Sequence, residues 1–155
     1  MTDTTLPLTT ADLVLFGLEE PTRQDATRRL TEVLAADGRI TDVELFLDDV
    51  RAREEMMATG LPGGIAFPHA RSAAVGTPSV AIGISQQGID FGADDGPAHL
   101  IFLIAAPPGA GQLHLVILAR LARKLINEQF RRTLRSAENA EQIAAIIQRE
   151  ILLPE

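Results

Sequence analysis

The feature that most constrains the fold is a nearly uninterrupted apolar segment, His99–Ala106. After the histidine, every residue is apolar: Leu-Ile-Phe-Leu-Ile-Ala-Ala. Continuous apolar runs of this length are typical of strands covered on both faces, because a strand with one face in water alternates polar and apolar residues. Asp94-Asp95-Gly96-Pro97 precedes the segment and Pro107-Pro108-Gly109 follows it, and both are turn-forming sequences. We therefore predict a central strand with helices on both of its faces.

The remaining segments supply those helices and further strands. Helical spacing of apolar residues predicts a sequence of helices: Arg23–Ala36, a second from a Thr41/Glu44 capping box to about Met57, Gln112–Ile126, Glu128–Leu134 and Ala140–Leu152. Strands are predicted at Leu13–Phe16, around Ile65, at Val80–Ile84 and at Ile89–Phe91, with a turn at Gln87-Gly88. The prediction is an α/β fold: a single layered domain over residues 1–155, with a mixed sheet of about five strands flanked by helices on both faces.

Composition excludes several classes of function. The chain has no cysteine, so disulfides, thiol catalysis and cysteine-ligated zinc are excluded. A net charge of −7 argues against nucleic-acid binding, which needs a basic surface. The apolar runs are too short to cross a bilayer, and the N-terminus does not resemble a signal peptide. We expect a cytoplasmic protein without direct membrane insertion.

The candidate functional stretch is Gly60–Arg71, in which glycines and prolines surround a short apolar strand. Glycine allows a partner to approach the backbone closely, and Pro68 stiffens the residue before His69. In an extended backbone His69 and Arg71 point to the same side. A nucleophilic nitrogen beside a fixed cation suits the handling of a phosphoryl group. From local chemistry alone, a loop histidine without function explains His69 equally well.

The other candidates are weaker. His114 stands in the first turn of a predicted helix, where the dipole favours an anion and a neutral imidazole, although a solvent-exposed histidine is the simpler explanation. His99 opens the central strand, and a structural role is favoured there. Arg51 and Arg53 lie near the end of the second helix, where cations are common because of the helix dipole. Only closeness to His69 would give one of them a function.

Metal and nucleotide sites are not supported. The chain has three histidines, and they lack the close spacing of zinc ligands. Neither a P-loop nor a Gly-x-Gly-x-x-Gly sequence follows a predicted strand. We therefore predict no metal and no cofactor.

Four pieces in order carry a family resemblance. Gly64-Ile65-Ala66-Phe67-Pro68-His69-Ala70-Arg71 resembles the active-site signature of enzyme IIA domains of the sugar phosphotransferase system, fructose/mannitol type. Three further segments resemble other parts of that family's sequence pattern: Arg53-Glu54 with Thr59-Gly60, the strand His99–Pro107, and the helix from His114-Leu115 to Ala122. The resemblance covers nearly the whole chain and is closest to the fructose branch.

The resemblance implies a phosphorelay without metal or cofactor. The phosphocarrier HPr would donate a phosphoryl group to His69, and His69 would pass it to a cysteine of the IIB domain, which serves the membrane IIC component. By position His69 matches the phosphorylated histidine, His114 the second active-site histidine and Arg53 the active-site arginine. Arg71 ranks below Arg53. An apolar docking patch is expected, with Leu61, Ile65, Phe67 and Leu113 as candidates, of which Ile65 fits the core better.

One departure and one alternative accompany this interpretation. The family usually has an acidic residue just before the second histidine, whereas Gln112-Leu113 precede His114 here. The alternative function is that of a regulatory, nitrogen-related IIA-like protein, phosphorylated on the same histidine and acting by binding target proteins.

Overall fold

The apolar segment that dominates the sequence forms the central strand of a mixed sheet. The computed structural model describes residues 7–152, except for the side chains of Ala110, Leu113, His114 and residues 151–152. Its strands, in chain order, are β1 (Val14–Phe16), β2 (Gly60–Leu61), β3 (Ile65–Ala66), β4 (His69–Arg71), β5 (Ser79–Ile89) and β6 (Ala98–Ala106). Its helices are α1 (Arg23–Ala36), α2 (Val43–Met56), α3 (Leu113–Leu125), α4 (Glu128–Arg135) and α5 (Ala140–Ile147). Short 3₁₀ turns at Ala11–Leu13 and Pro108–Ala110 and a π-helical turn at Gln148–Leu152 complete the described chain.

The sheet has the strand order β1-β5-β6-β3-β2, and β4 also pairs with β6. β6 runs antiparallel to β5 and parallel to both β3 and β4. The predicted α/β fold with a mixed sheet and helices on both faces is confirmed, with six strands in the described residues where about five were expected.

Side chains of β6 alternate between two hydrophobic cores. Ile101, Leu103 and Ala105 join the core that contains residues of α1 and α2. Leu100, Phe102 and Ile104 join the core that contains residues of α3 and α5. Because each buried Leu, Ile or Phe contributes about 1.5–3 kcal/mol, this double coverage accounts for the unbroken apolar run from Leu100 to Ala106.

β3 and β4 form one interrupted strand along β6. Ile65 pairs with Leu100 and His69 with Ile104, so the register does not shift between them. Pro68, which lacks an N–H, stands at the interruption, and its carbonyl accepts a hydrogen bond from the Ile104 amide at 3.0 Å. The interruption places His69 at the start of β4 without losing the pairing to β6.

Three local predictions were wrong, the first of them the separate strand at Ile89–Phe91: Ile89 is the last residue of β5, and Asp90 and Phe91 lie outside the strands. Asp42, not Thr41, caps α2: its carboxylate accepts from the Leu45 amide at 3.1 Å, while the Thr41 hydroxyl donates to the Ala74 carbonyl at 3.2 Å. Gln87-Gly88 is not a turn but part of β5, which continues through a register shift between Ile84 and Ile89. The shift is a bulge, and the positive φ of 90° at Gly88 accommodates it.

Candidate functional site

His69 is a buried histidine at the start of β4. Its relative exposure is 5%, and its Nδ1 lies 2.8 Å from the carbonyl oxygen of Phe67. Because a carbonyl only accepts hydrogen bonds, Nδ1 carries the proton in this contact. In the neutral ring, Nε2 then carries the lone pair and is the nucleophilic nitrogen.

The surroundings of His69 favour the neutral ring. Burial lowers the pKa of His69 below its ordinary value of 6.5, and the charge of Arg53 lowers it further. The hydrogen bond to Phe67 and the charge of Glu54 raise the pKa, but the net direction is down. A nucleophilic imidazole is therefore available at neutral pH.

Arg53 lies in the last turn of α2 and is half-buried. Its guanidinium donates a hydrogen bond to the Met57 carbonyl at 3.4 Å, which keeps the side chain at the carboxyl end of the helix. Its positive charge disfavours a second proton on His69 and so lowers the pKa of that ring. Apart from the family resemblance, the sequence gave no reason to assign a function to Arg53. The structure places its charge close enough to His69 to affect the pKa of the ring.

Arg71 is exposed and connects β4 to the loop before α3. Its guanidinium donates to the Gly111 carbonyl at 3.2 Å. The backbone of His114 lies in the first turn of α3, which contacts β4, but its side chain lies outside the described residues. The fold therefore brings the start of α3 beside β4, while the role of the His114 ring stays a prediction.

His99 lies apart from these groups, in contact with the β5 bulge. Its Nδ1 lies 2.9 Å from the Ser85 carbonyl and so donates to it. A side chain on Gly64 or Gly88 would approach the ring within 3.3 Å or 3.0 Å. These contacts to backbone and small residues are those of a structural histidine.

Two features of the site escaped the sequence predictions. The first is Glu54, which accepts hydrogen bonds from Thr59, beyond the end of α2, and from Arg23 of α1. The apolar surface also differs: Phe67, a candidate for the docking patch, is buried at 2% exposure, whereas Ile65, at 4%, lies in the core as expected. The exposed apolar side chains near the helix ends of the site are Met56, Met57, Leu115 and Val116. Leu113, another patch candidate, has its side chain outside the described residues.

Neither a metal site nor a membrane span emerges from the part of the chain that the structure describes. No group of three or more His, Cys, Asp or Glu side chains there could hold a metal ion. Among the same residues, no helix is both long and apolar enough to span a bilayer.

Comparison with known proteins gives consistent matches along the chain. The family model described as "Phosphoenolpyruvate-dependent sugar phosphotransferase system, EIIA 2" matches residues 7–150. The fructose-specific EIIA component of the phosphotransferase system of Haloferax volcanii is 39% identical over 142 residues, with 90% of this chain and 92% of that protein covered. The fructose-specific EIIABC component of Bacillus subtilis is 36% identical over 141 residues, which are 90% of this chain but only 22% of that longer protein.

A solved structure supports the same assignment. The nitrogen regulatory protein IIA-Ntr from Neisseria meningitidis superposes with a TM-score of 0.78 at 28% identity, covering 90% of this chain and 96% of that one. The family match spans the two cores, β6, and the strand that presents His69. The chain belongs to the EIIA type 2 family of the phosphoenolpyruvate-dependent sugar phosphotransferase system.

Proposed function

We propose that this protein is a phosphoryl carrier that accepts a phosphoryl group from phospho-HPr on Nε2 of His69 and passes it to a cysteine of a IIB domain. Family membership supports the phosphotransfer role. The observation that carries the residue assignment is the hydrogen bond from Nδ1 to the Phe67 carbonyl, which leaves the lone pair on Nε2. Fructose or a similar sugar is the expected cargo of the pathway, as in the two fructose-specific relatives.

The chemistry is a displacement at phosphorus. The Nε2 lone pair of His69 forms a bond to phosphorus while the bond between phosphorus and the donor's histidine nitrogen breaks, and its electrons return to the donor ring. The phosphorylated ring of His69 becomes more positive. The Nδ1–H to Phe67 hydrogen bond stabilises that charge, because the carbonyl oxygen is a fixed dipole aimed at the proton. Transfer to IIB repeats the step with a thiolate as nucleophile.

Arg53 and His114 assist in this proposal. The Arg53 guanidinium interacts with the phosphoryl oxygens and neutralises part of their charge. His114, at the start of α3, donates a hydrogen bond to them, and the free amides of the helix start add a favourable dipole. A lysine at this position could not replace Arg53 fully, since only the planar guanidinium can bind two phosphoryl oxygens at once.

The partners dock, in this proposal, on the apolar side chains that flank the site. Met56 and Met57 follow Arg53 at the end of α2, with exposures of 79% and 69%. Leu115 and Val116 follow His114 and are each 46% exposed. Flexible methionines suit a surface that binds two different proteins in turn, HPr and IIB, in transient complexes in the cytoplasm.

A regulatory role is the second candidate. The similarity to a nitrogen regulatory IIA protein, at a TM-score of 0.78, favours it. Such a protein would be phosphorylated on the same histidine and would act by binding a target. Transfer onward to the cysteine of a fructose-type IIB domain distinguishes the two, because only the transport role requires it.

The test of the acceptor is phosphorylation of the purified chain by phosphoenolpyruvate, enzyme I and HPr. Mass spectrometry should find one acid-labile phosphate on the wild type and none on His69→Ala. His99→Asn is the matched control, since its amide can still donate to the Ser85 carbonyl, and it should be labelled like the wild type. Label that persists on His69→Ala would assign the acceptor to another residue.

A further inference from the structure

The hydrogen bonds behind His69 converge on one carboxylate, that of Glu54 in α2. Its Oε1 accepts from the Thr59 hydroxyl at 2.7 Å, and its Oε2 accepts from the Thr59 amide at 3.0 Å. The Arg23 guanidinium of α1 donates to Oε2 at 3.2 Å. The Glu54 side chain is 13% exposed, so these bonds are largely shielded from water. The carboxylate therefore holds Thr59 through both its backbone amide and its side-chain hydroxyl.

Thr59 in turn holds Phe67, the residue that orients His69. The Phe67 amide donates to the Thr59 carbonyl at 3.1 Å, and the Phe67 carbonyl accepts from His69 Nδ1 at 2.8 Å. The amide and the carbonyl of Phe67 are thus engaged by Thr59 and His69, while the Ile104 amide of β6 donates to the carbonyl of the next residue, Pro68. β2 and β3 contribute only two residues each, so the pairing near Phe67 is short and depends on the Thr59 contact.

We propose that Glu54 is a positioning residue: through Thr59 and Phe67 it fixes the Nδ1-protonated tautomer of His69 and keeps Nε2 as the nucleophile. Only the final consequence, a faster phosphoryl transfer, depends on the function proposed above. The tautomer itself is a property of the unphosphorylated protein. A carboxylate that merely neutralised Arg23 or ended α2 would leave the ring of His69 unchanged.

Two substitutions separate geometry from charge. In Glu54→Gln the amide oxygen can still accept from the Thr59 amide, and the amide nitrogen can donate to the Thr59 hydroxyl, which also accepts. Glu54→Ala removes every one of these bonds. Thr59→Val removes only the hydroxyl contact at nearly constant volume. Glu55→Ala is the matched control, since Glu55 is the exposed neighbour on the same helix and takes no part in these hydrogen bonds.

The experiment measures the ring ¹⁵N shifts of histidine-labelled, unphosphorylated full chain at pH 8, followed by the rate of phosphorylation by phospho-HPr. We expect the wild type, Glu55→Ala and Glu54→Gln to show protonated Nδ1 and unprotonated Nε2 at His69. Glu54→Ala should show a mixture of tautomers and a rate lower by about 3- to 10-fold, the loss expected from one or two hydrogen bonds. Thr59→Val should lie between the two.

Several outcomes would overturn the proposal. A wild-type ring protonated on Nε2 would do so, as would Glu54→Ala with wild-type ring shifts. Glu54→Gln behaving like Glu54→Ala would assign the effect to charge and not to position. If Glu54→Ala does not fold, as judged by its circular dichroism, Thr59→Val decides: unchanged ring shifts would refute the role of Glu54. A wild type that HPr does not label would contradict the proposed function, while the ring shifts would still test the role of Glu54.

Discussion

The protonation of the His69 ring, the phosphoryl acceptor proposed above, is controlled by its surroundings. Burial and the charge of Arg53 lower its pKa, while the Phe67 carbonyl holds the one proton that the neutral ring keeps. A phosphoryl acceptor needs this state, because a protonated imidazole has no lone pair to donate. A neutral ring with one nitrogen bonded to a backbone carbonyl was expected from the sequence, but that the carbonyl belongs to Phe67 and that the Arg53 side chain of α2 also acts on the ring came from the structure.

We predict that His69 titrates below its ordinary pKa of 6.5 in the folded chain. The histidine Cε1–H signal, followed by NMR from pH 8 downward, should have a lower midpoint in the native protein than in the same protein in urea. Because the unfolded chain then binds a proton more readily, His69 lowers the free energy of unfolding as the pH falls below about 6.5, and the loss stops below the native midpoint. His69→Gln should lack this part of the acid destabilisation. Equal midpoints in both states would contradict the prediction.

At the scale of elements, the site depends on a strand that is interrupted without a change of register. Pro68 and the residues of β3 could be recognised in the sequence as an extended, stiff segment. The sequence could not show that this segment pairs with β6 in the same register on both sides of Pro68. Strand register is set by contacts that are distant in sequence. For the same reason the bulge at Gly88 was mistaken for a turn.

Gly60 is the residue of β2 at which a side chain cannot be tolerated. An added Cβ would lie 2.7 Å from the Phe91 carbonyl oxygen and 3.0 Å from the Ala93 amide nitrogen, both of them backbone atoms. We predict that Gly60→Ala lowers the free energy of unfolding by about 1–3 kcal/mol in urea denaturation, because backbone must move to relieve the contact.

Gly109→Ala is the control for this effect. Nothing lies within 4 Å of a Cβ at Gly109, so the same chemical change should alter the free energy of unfolding by less than about 0.5 kcal/mol. Equal stability of the Gly60 and Gly109 variants would show that β2 and the Phe91 backbone can separate freely.

At the scale of the whole molecule, the proposed site lies where two helices on opposite faces of the sheet meet β4. α2 ends and α3 begins beside β4, so the last turn of one helix and the first turn of the other frame His69. Those two turns expose the apolar side chains of Met56, Met57, Leu115 and Val116. An exposed apolar patch next to the proposed acceptor is suited to the transient docking proposed above.

We predict that the double variant Met56→Gln/Leu115→Gln binds its phosphodonor more weakly. Its half-saturating concentration of phospho-HPr should rise about tenfold, equivalent to a loss of ~1.4 kcal/mol, with an unchanged melting temperature because both side chains are exposed. Ile126→Gln is the control: Ile126 is 79% exposed but lies at the opposite end of α3. If the control weakens donor binding as much as the double variant, docking is not confined to the site.

Sequence by itself determined the layer architecture, most helix positions and the identity of the central strand. Local rules account for this: a run apolar at every position predicts a strand buried on both faces, and helical spacing predicts which helices cover it. α1 was predicted with its observed bounds, and the family resemblance was confirmed by a model matching residues 7–150.

Only the tertiary structure decided which side chains meet. Arg39, an ordinary charged residue in the sequence, is 1% exposed and donates to Asp37 at 2.7 Å, the Pro7 carbonyl at 2.7 Å and Ser79 at 3.1 Å. Glu54 similarly acquires its partners from α1 and from the turn before β2. Buried polar groups need partners, and apart from Asp37 the partners of Arg39 come from segments far away in the chain, so the pattern along the sequence cannot reveal them. The sequence singled out His69 as a candidate, whereas the fold determined that its ring contacts the Phe67 carbonyl, because that contact depends on how the chain is folded around the ring.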